Sequence, residues 1–301
     1  MISLGLLIGL LIIIAAILII ILERPLNLNI NFYIKLFFIL FLVASFCDLL
    51  SYFSSLSILG IVGSFNFFLT ISFILLHSSS VLGNKKTVIF FIIAFIFGLA
   101  SELLSVLIGL YYYTIPNFFF GLVPFATPIS WIFIIYVSYI LANLFLFGFG
   151  GEKPKKTDNL WYLLGSLILI SSISGFIAVN LDMILDPVSV APQVAQWVYY
   201  GGGPYFGVPI SNYIGWFEVT VIAIFIFRFY EAFSPSSTDS KPEIDKYSYL
   251  YIIILYIIYL LFNAVKAYNL EKIEYILIGV TTMAPFILIG LLALMLNKKR
   301  R

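Results

Sequence analysis

Long apolar stretches, separated by short polar or turn-rich segments, run through this chain from beginning to end. A helix that crosses the hydrocarbon core of a bilayer needs about 20 mostly apolar residues. Measured with that ruler, the sequence divides into nine spans, at about 2–22, 32–53, 60–82, 87–110, 128–149, 160–183, 212–233, 249–268 and 274–296. The first carries no basic n-region and no small-residue cleavage signal, which predicts a retained helix and not a removed leader. The expected architecture is all-α: one integral membrane domain over residues 1–301, built as a polytopic transmembrane helix bundle.

Composition fixes the solvent and charge fixes the orientation. Hydrophobic residues make up 62% of the chain and charged ones 10%, with a mean hydropathy of +1.12, whereas a soluble domain carries about a quarter charged residues. Basic residues gather in cytoplasmic loops of membrane proteins. With the N-terminus outside, the inner side receives Arg24, Lys35, Lys85, Lys86, Lys153, Lys155, Lys156, Arg228, Lys241, Lys246, Lys298, Lys299, Arg300 and Arg301. The outer side receives only Lys266 and Lys272. This predicts an N-out, C-in protein of the cell membrane. A net charge of +2 gives no reason to expect a nucleic-acid partner. Cys47 and His77 are alone of their kinds, which argues against a disulfide framework and against a multi-Cys or multi-His metal site. His77, near the inner end of its span, reads as structural, and Arg228 is expected to snorkel to the interface.

Two connections are too long for turns: 111–127, YYYTIPNFFFGLVPFAT, and 184–211, ILDPVSVAPQVAQWVYYGGGPYFGVPIS. Both fall outside, lack Lys and Arg, and are rich in aromatics, Gly and Pro, the composition of interfacial or re-entrant segments. They also resemble each other. Gly121 and Pro124 precede Trp131 as Gly207 and Pro209 precede Trp216, with the same Pro-to-Trp spacing, the pattern a parallel duplication of a helix–loop–helix unit leaves.

Ionisable side chains within spans are costly and mark function. Asp48, Glu102, Asp182, Asp186 at a helix end, and Glu218 are the carboxylates so placed, and counting along the alternating helices puts all of them in the outer half. Asp182 and Asp186, four residues apart, share a helix face. Burial and like-charge repulsion let one member of such a pair stay protonated beside an ionised neighbour, the division of labour an acid–base site needs. The other reading of Asp186, before Pro187, is that it merely ends the helix. Glu102 has no basic residue on its own helix, so a protonated or water-bound acid is expected there. Asp48 and Glu218 are possible supporting residues. An aromatic-lined cavity attracts a developing carbocation, and Trp131, Trp197, Tyr205 and Trp216 are the candidates for its walls.

The strings SELLSVLIGLYYYT, GLVPFATPISW, NLDMILDPVSV and YFGVPISNYIGWF, over about residues 95–220, together resemble the membrane-bound carotenoid hydratase family. The chain departs from that family at WVYY, where a Trp-x-Trp is usual. The resemblance implies cofactor-free addition of water to the terminal double bond of an acyclic carotenoid end. It implies Asp182 or Asp186 as the acid, with Glu102 orienting water, and Tyr111, Tyr113, Trp131, Trp197, Tyr205, Asn212 and Trp216 around the substrate. Partners would be the isoprenoid substrate, water, membrane lipids and other carotenoid biosynthesis enzymes. Two alternatives stand beside it. A proton-initiated carotenoid cyclase begins with the same protonation, and a proton-coupled lipid or small-solute transporter also uses intramembrane carboxylates.

Overall fold

The computed structural model describes residues 4–23, 25–148, 159–234 and 246–296. Among the described residues nine helical stretches are long and apolar enough to cross a membrane, and the chain is a multi-pass membrane protein. Several basic residues behind the predicted orientation, namely Arg24, Lys153, Lys155, Lys156, Lys241 and Lys298 to Arg301, lie outside the described residues.

The chain forms two compact units. The first takes in Met1–Val88 and Ser237–Ser248. Its helices α1 (Leu4–Leu22) and α2 (Ile30–Ser51) pack on α4 (Asn66–Leu82), and the short α3 (Ser57–Gly63) lies on α2. The predicted third span is thus two helices, broken at Ser64 and Phe65. A Cβ on Gly63 would stand 2.7 Å from the Cα and Cβ of Asp48, so glycine is what lets α3 lie this close to α2. His77, fully buried in α4, places Nε2 3.0 Å from the Ser248 carbonyl oxygen, in keeping with a structural role.

The second unit holds Ile89–Ser236 and Tyr249–Arg301. Its helices are α5 (Asn84–Leu107, from Ile89 onward), α6 (Ala126–Phe147), α7 (Leu160–Val190), α8 (Ile210–Phe233), α9 (Lys246–Asn269, from Tyr249 onward) and α10 (Ile273–Leu296). Helix α7 packs on α6, α8 and α10, and α10 also reaches α6. Two short strands, β1 (Tyr111–Tyr113) and β2 (Trp197–Tyr199), join the two long connections as an antiparallel pair, a pairing not foreseen from the residue pattern.

Two expectations change here. The sixth span does not stop before Asp186: α7 runs through Pro187 to Val190, so the second connection begins at residue 191. Proline lacks an N–H and deprives the carbonyl four residues back of its donor. That carbonyl belongs to Met183, and the Tyr205 hydroxyl donates to it at 3.2 Å, which satisfies the group and lets the helix continue. Arg228 does not snorkel. It is 1% exposed and ion-paired with Glu231 one turn along α8, and the Tyr139 hydroxyl donates to the same carboxylate. A carboxylate within reach removes the reason for the guanidinium to seek water.

The likeness of the two connections extends to backbone conformation. Phe120 and Gly121 have φ of 53° and 70°, and Phe206 and Gly207 have 51° and 89°. Both pairs occupy the centre of a tight turn, closed by Leu122 N–H to the Phe119 carbonyl and by Val208 N–H to the Tyr205 carbonyl. Positive φ at both central positions makes each a type I′ turn. Trp131 and Trp216, equivalent by spacing, meet with ring centroids 4.5 Å apart.

Candidate active site

Glu102 sits in the last turns of α5, after which Gly109, with φ of 74°, turns the chain back into β1. Alternate residues of a strand share a face. Tyr111 and Tyr113 therefore point together at Glu102, and both hydroxyls donate to its Oε2, that of Tyr113 at 2.6 Å. Tyr112, on the other face, is exposed and meets Tyr200. From α6, the Trp131 indole N–H donates to Oε1 at 2.7 Å. Glu102 is a buried acceptor of three hydrogen bonds, where the sequence suggested a protonated or water-bound acid. Burial, followed by the charge of Glu102, raises the Tyr111 and Tyr113 phenols well above their ordinary range, which keeps both as donors.

Asp182 and Asp186 project from one face of α7 and are almost wholly buried. Asn212, in the first turn of α8, bridges them: its Nδ2 donates to Oδ2 of each at 2.7 Å. Asp186 also accepts from the Tyr199 hydroxyl at 2.8 Å. A single nitrogen bonded to both brings the two carboxyl groups side by side. Asp182 Oδ1 has no hydrogen-bond partner within the protein.

The ladder joins these two stations. Tyr111 pairs with Tyr199 and Tyr113 with Trp197, so opposed side chains lie side by side. The Tyr111 and Tyr199 rings stand 5.3 Å apart, the first holding Glu102 and the second Asp186. Trp197 lies against Tyr113 with centroids 6.0 Å apart. Tyr205 props α7 through Met183, and its phenol is pushed up to about 12 by burial and then by Asp182, so it stays a donor. Tyr205→Phe is expected to strand that carbonyl and lower stability by about 1–3 kcal/mol. Thermal unfolding of the purified protein checks this.

All three proposed catalytic acids and the seven proposed substrate-binding residues thus belong to one unit, around the β1–β2 ladder and the ends of α5 to α8. Of the two possible supporting residues, Glu218 is not brought in and Asp48 belongs to the other unit. Asp48 stands in the first unit, against Gly63. Glu218 is exposed: Asn212 and Trp216 share a face of α8, and two further residues turn Glu218 about 200° away from it. Tyr199 was hidden among belt aromatics, and only the strand register reveals it. Among the described residues no group of three or more His, Cys, Asp or Glu side chains is placed to hold a metal ion.

The family model described as carotenoid biosynthesis protein matches residues 61–286, well over half of the chain. The chain belongs to the carotenoid biosynthesis protein family. A relative, the bisanhydrobacterioruberin hydratase of Haloarcula japonica, is 29% identical over 109 residues, which are 36% of this chain and 31% of that protein. The aligned stretch thus spans about a third of the relative's own length. No solved structure matches. The part matched by the carotenoid biosynthesis family includes every residue from Glu102 to Trp216 and leaves out Asp48.

Proposed function

We propose that this protein adds water to the terminal double bond at the acyclic end of a carotenoid. The observation that carries the reading is the buried Asp182/Asp186 pair, bridged by one amide and open on one oxygen. Two carboxyls in contact inside a membrane hold one proton between them. Asp186, with donors from Tyr199 and Asn212, suits the ionised member. Asp182, with Asn212 alone and a free Oδ1, suits the one that gives its proton away.

In the reaction, Asp182 transfers that proton to the CH carbon of the double bond, whose π electrons form the new C–H bond. A tertiary cation is left on the dimethyl carbon. Ring faces of Trp131, Trp216 and Trp197 attract it without attacking it, and the Glu102 carboxylate supports it with fixed negative charge. The oxygen of a water then bonds to the cation, and the surplus proton returns to the aspartate pair. Atoms and charge balance without an oxidant or reductant. The hydratase name of the Haloarcula japonica relative supports this chemistry.

We also propose that the site faces the outer half of the membrane. Helix α5 starts beside Lys85 and Lys86, which belong inside by charge, and Glu102 lies near its other end. The test is expression in a host that makes an acyclic carotenoid, with pigments analysed by mass. A pigment heavier by one water is expected. A pigment of altered absorption and unchanged mass would indicate cyclisation, and unaltered pigment would contradict both enzyme readings.

A further inference from the structure

Within the cluster, two buried polar atoms find no hydrogen-bond partner in the protein: Asp182 Oδ1 and the Tyr213 hydroxyl. Asp182 is 0% exposed, so Oδ1 cannot turn to bulk water. Buried polar groups in native proteins are almost always satisfied, and two orphans in one cluster call for a small polar molecule as their partner. The two belong together. Tyr213 follows Asn212 in the first turn of α8, and Asn212 already grips the other oxygen of Asp182 at 2.7 Å. The charge of Asp182, and after it that of Asp186, acts on the Tyr213 hydroxyl. Its ring is fixed edge-on against Tyr205, centroids 5.2 Å apart, and Tyr205 is itself tied to Met183, the neighbour of Asp182. Nothing in the sequence set Tyr213 apart from the other aromatics at span ends.

We propose that the Tyr213 hydroxyl and Asp182 Oδ1 together hold the water that captures the cation, which makes Tyr213 a water-binding catalytic residue. This rests on the hydration reading above. Tyr213 anchors the water oxygen while Asp182 spends its proton on the alkene. Oδ1, now a carboxylate oxygen, is the acceptor beside the same water. The C–O bond forms from an oxygen lone pair, one O–H bond of the water breaks and leaves its electron pair on that oxygen, and the proton bonds to Oδ1, which restores the acid for the next turnover. A single oxygen thus gives the first proton and takes the last. An unanchored water is displaced from the cation, and a misplacement of this size costs on the order of 10²-fold in rate.

Tyr213→Phe tests the assignment, because it removes only a hydroxyl that bonds no protein group. Membranes carrying the wild type or the variant are given an acyclic carotenoid in deuterated water, and pigments are analysed by mass. The variant is expected to unfold at the wild-type temperature and to hydrate on the order of 10²-fold more slowly. Its recovered alkene is expected to carry carbon-bound deuterium, the mark of protonation without capture. A variant that hydrates like the wild type would overturn the proposal. So would one that unfolds at lower temperature, since the hydroxyl would then be bonded within the fold. Absence of hydration by the wild type would instead overturn the underlying hydratase reading, so the two failures are distinct.

Discussion

Asp182→Asn and Asp186→Asn are each expected to leave the carotenoid unhydrated while the protein accumulates normally. An amide has nearly the shape of a carboxyl but cannot give up a proton at neutral pH, so the Asp182 change removes the acid outright. The Asp186 change removes the anion that Tyr199 and Asn212 hold in place and that makes proton return to the pair favourable. General acid–base groups contribute about 10²–10⁴-fold to rate, and a loss of that order is the expected result for each. Stability should not fall. Asparagine keeps the shape of either side chain, and at Asp186 it also takes a charge out of the membrane interior, where only hydrogen bonds support it. Pigment mass and immunoblot intensity from the same cells check both halves. Wild-type product from both variants would remove the aspartates from the reaction.

Gly98→Ala is expected to damage the site from a distance. A Cβ at Gly98 would lie 2.5 Å from both Cβ and Cγ of Trp131, and Cβ is fixed to the backbone, so no rotamer change moves it away. The indole must shift with its backbone, and it carries the 2.7 Å hydrogen bond to Glu102 and the 4.5 Å contact with Trp216. Overpacking of this kind costs about 1–3 kcal/mol. A lower unfolding temperature, a change in tryptophan emission and slower hydration should appear together. Gly5, where an added Cβ meets nothing, is the control: Gly5→Ala should change none of the three.

The membrane itself explains how much of this could be read from residues alone. Bilayer thickness imposes the length of a span, so the nine spans among the described residues were legible to within a few residues except at the end of α7, and the price of an acid in hydrocarbon made Glu102, Asp182 and Asp186 conspicuous. Depth is a count along the chain, but direction around a helix depends on what packs beside it. That is why Glu218 shared the right half of the bilayer with Asn212 and Trp216 yet faces away from them. The pairing of Tyr111 with Tyr199 was illegible for a related reason: three-residue strands give period two nothing to repeat, and register comes from the partner. Pro187 looked like a helix end because its effect on Met183 is local, while the remedy, Tyr205, lies 22 residues from that carbonyl.

Isotope incorporation shows whether a proton and a water reach the double bond. Membranes containing the protein, supplied with an acyclic carotenoid in deuterated water, should yield a tertiary alcohol heavier by one water and bearing one carbon-bound deuterium next to the alcohol carbon. Pigment recovered at its original mass and without deuterium would contradict the account, since no proton would have reached the double bond.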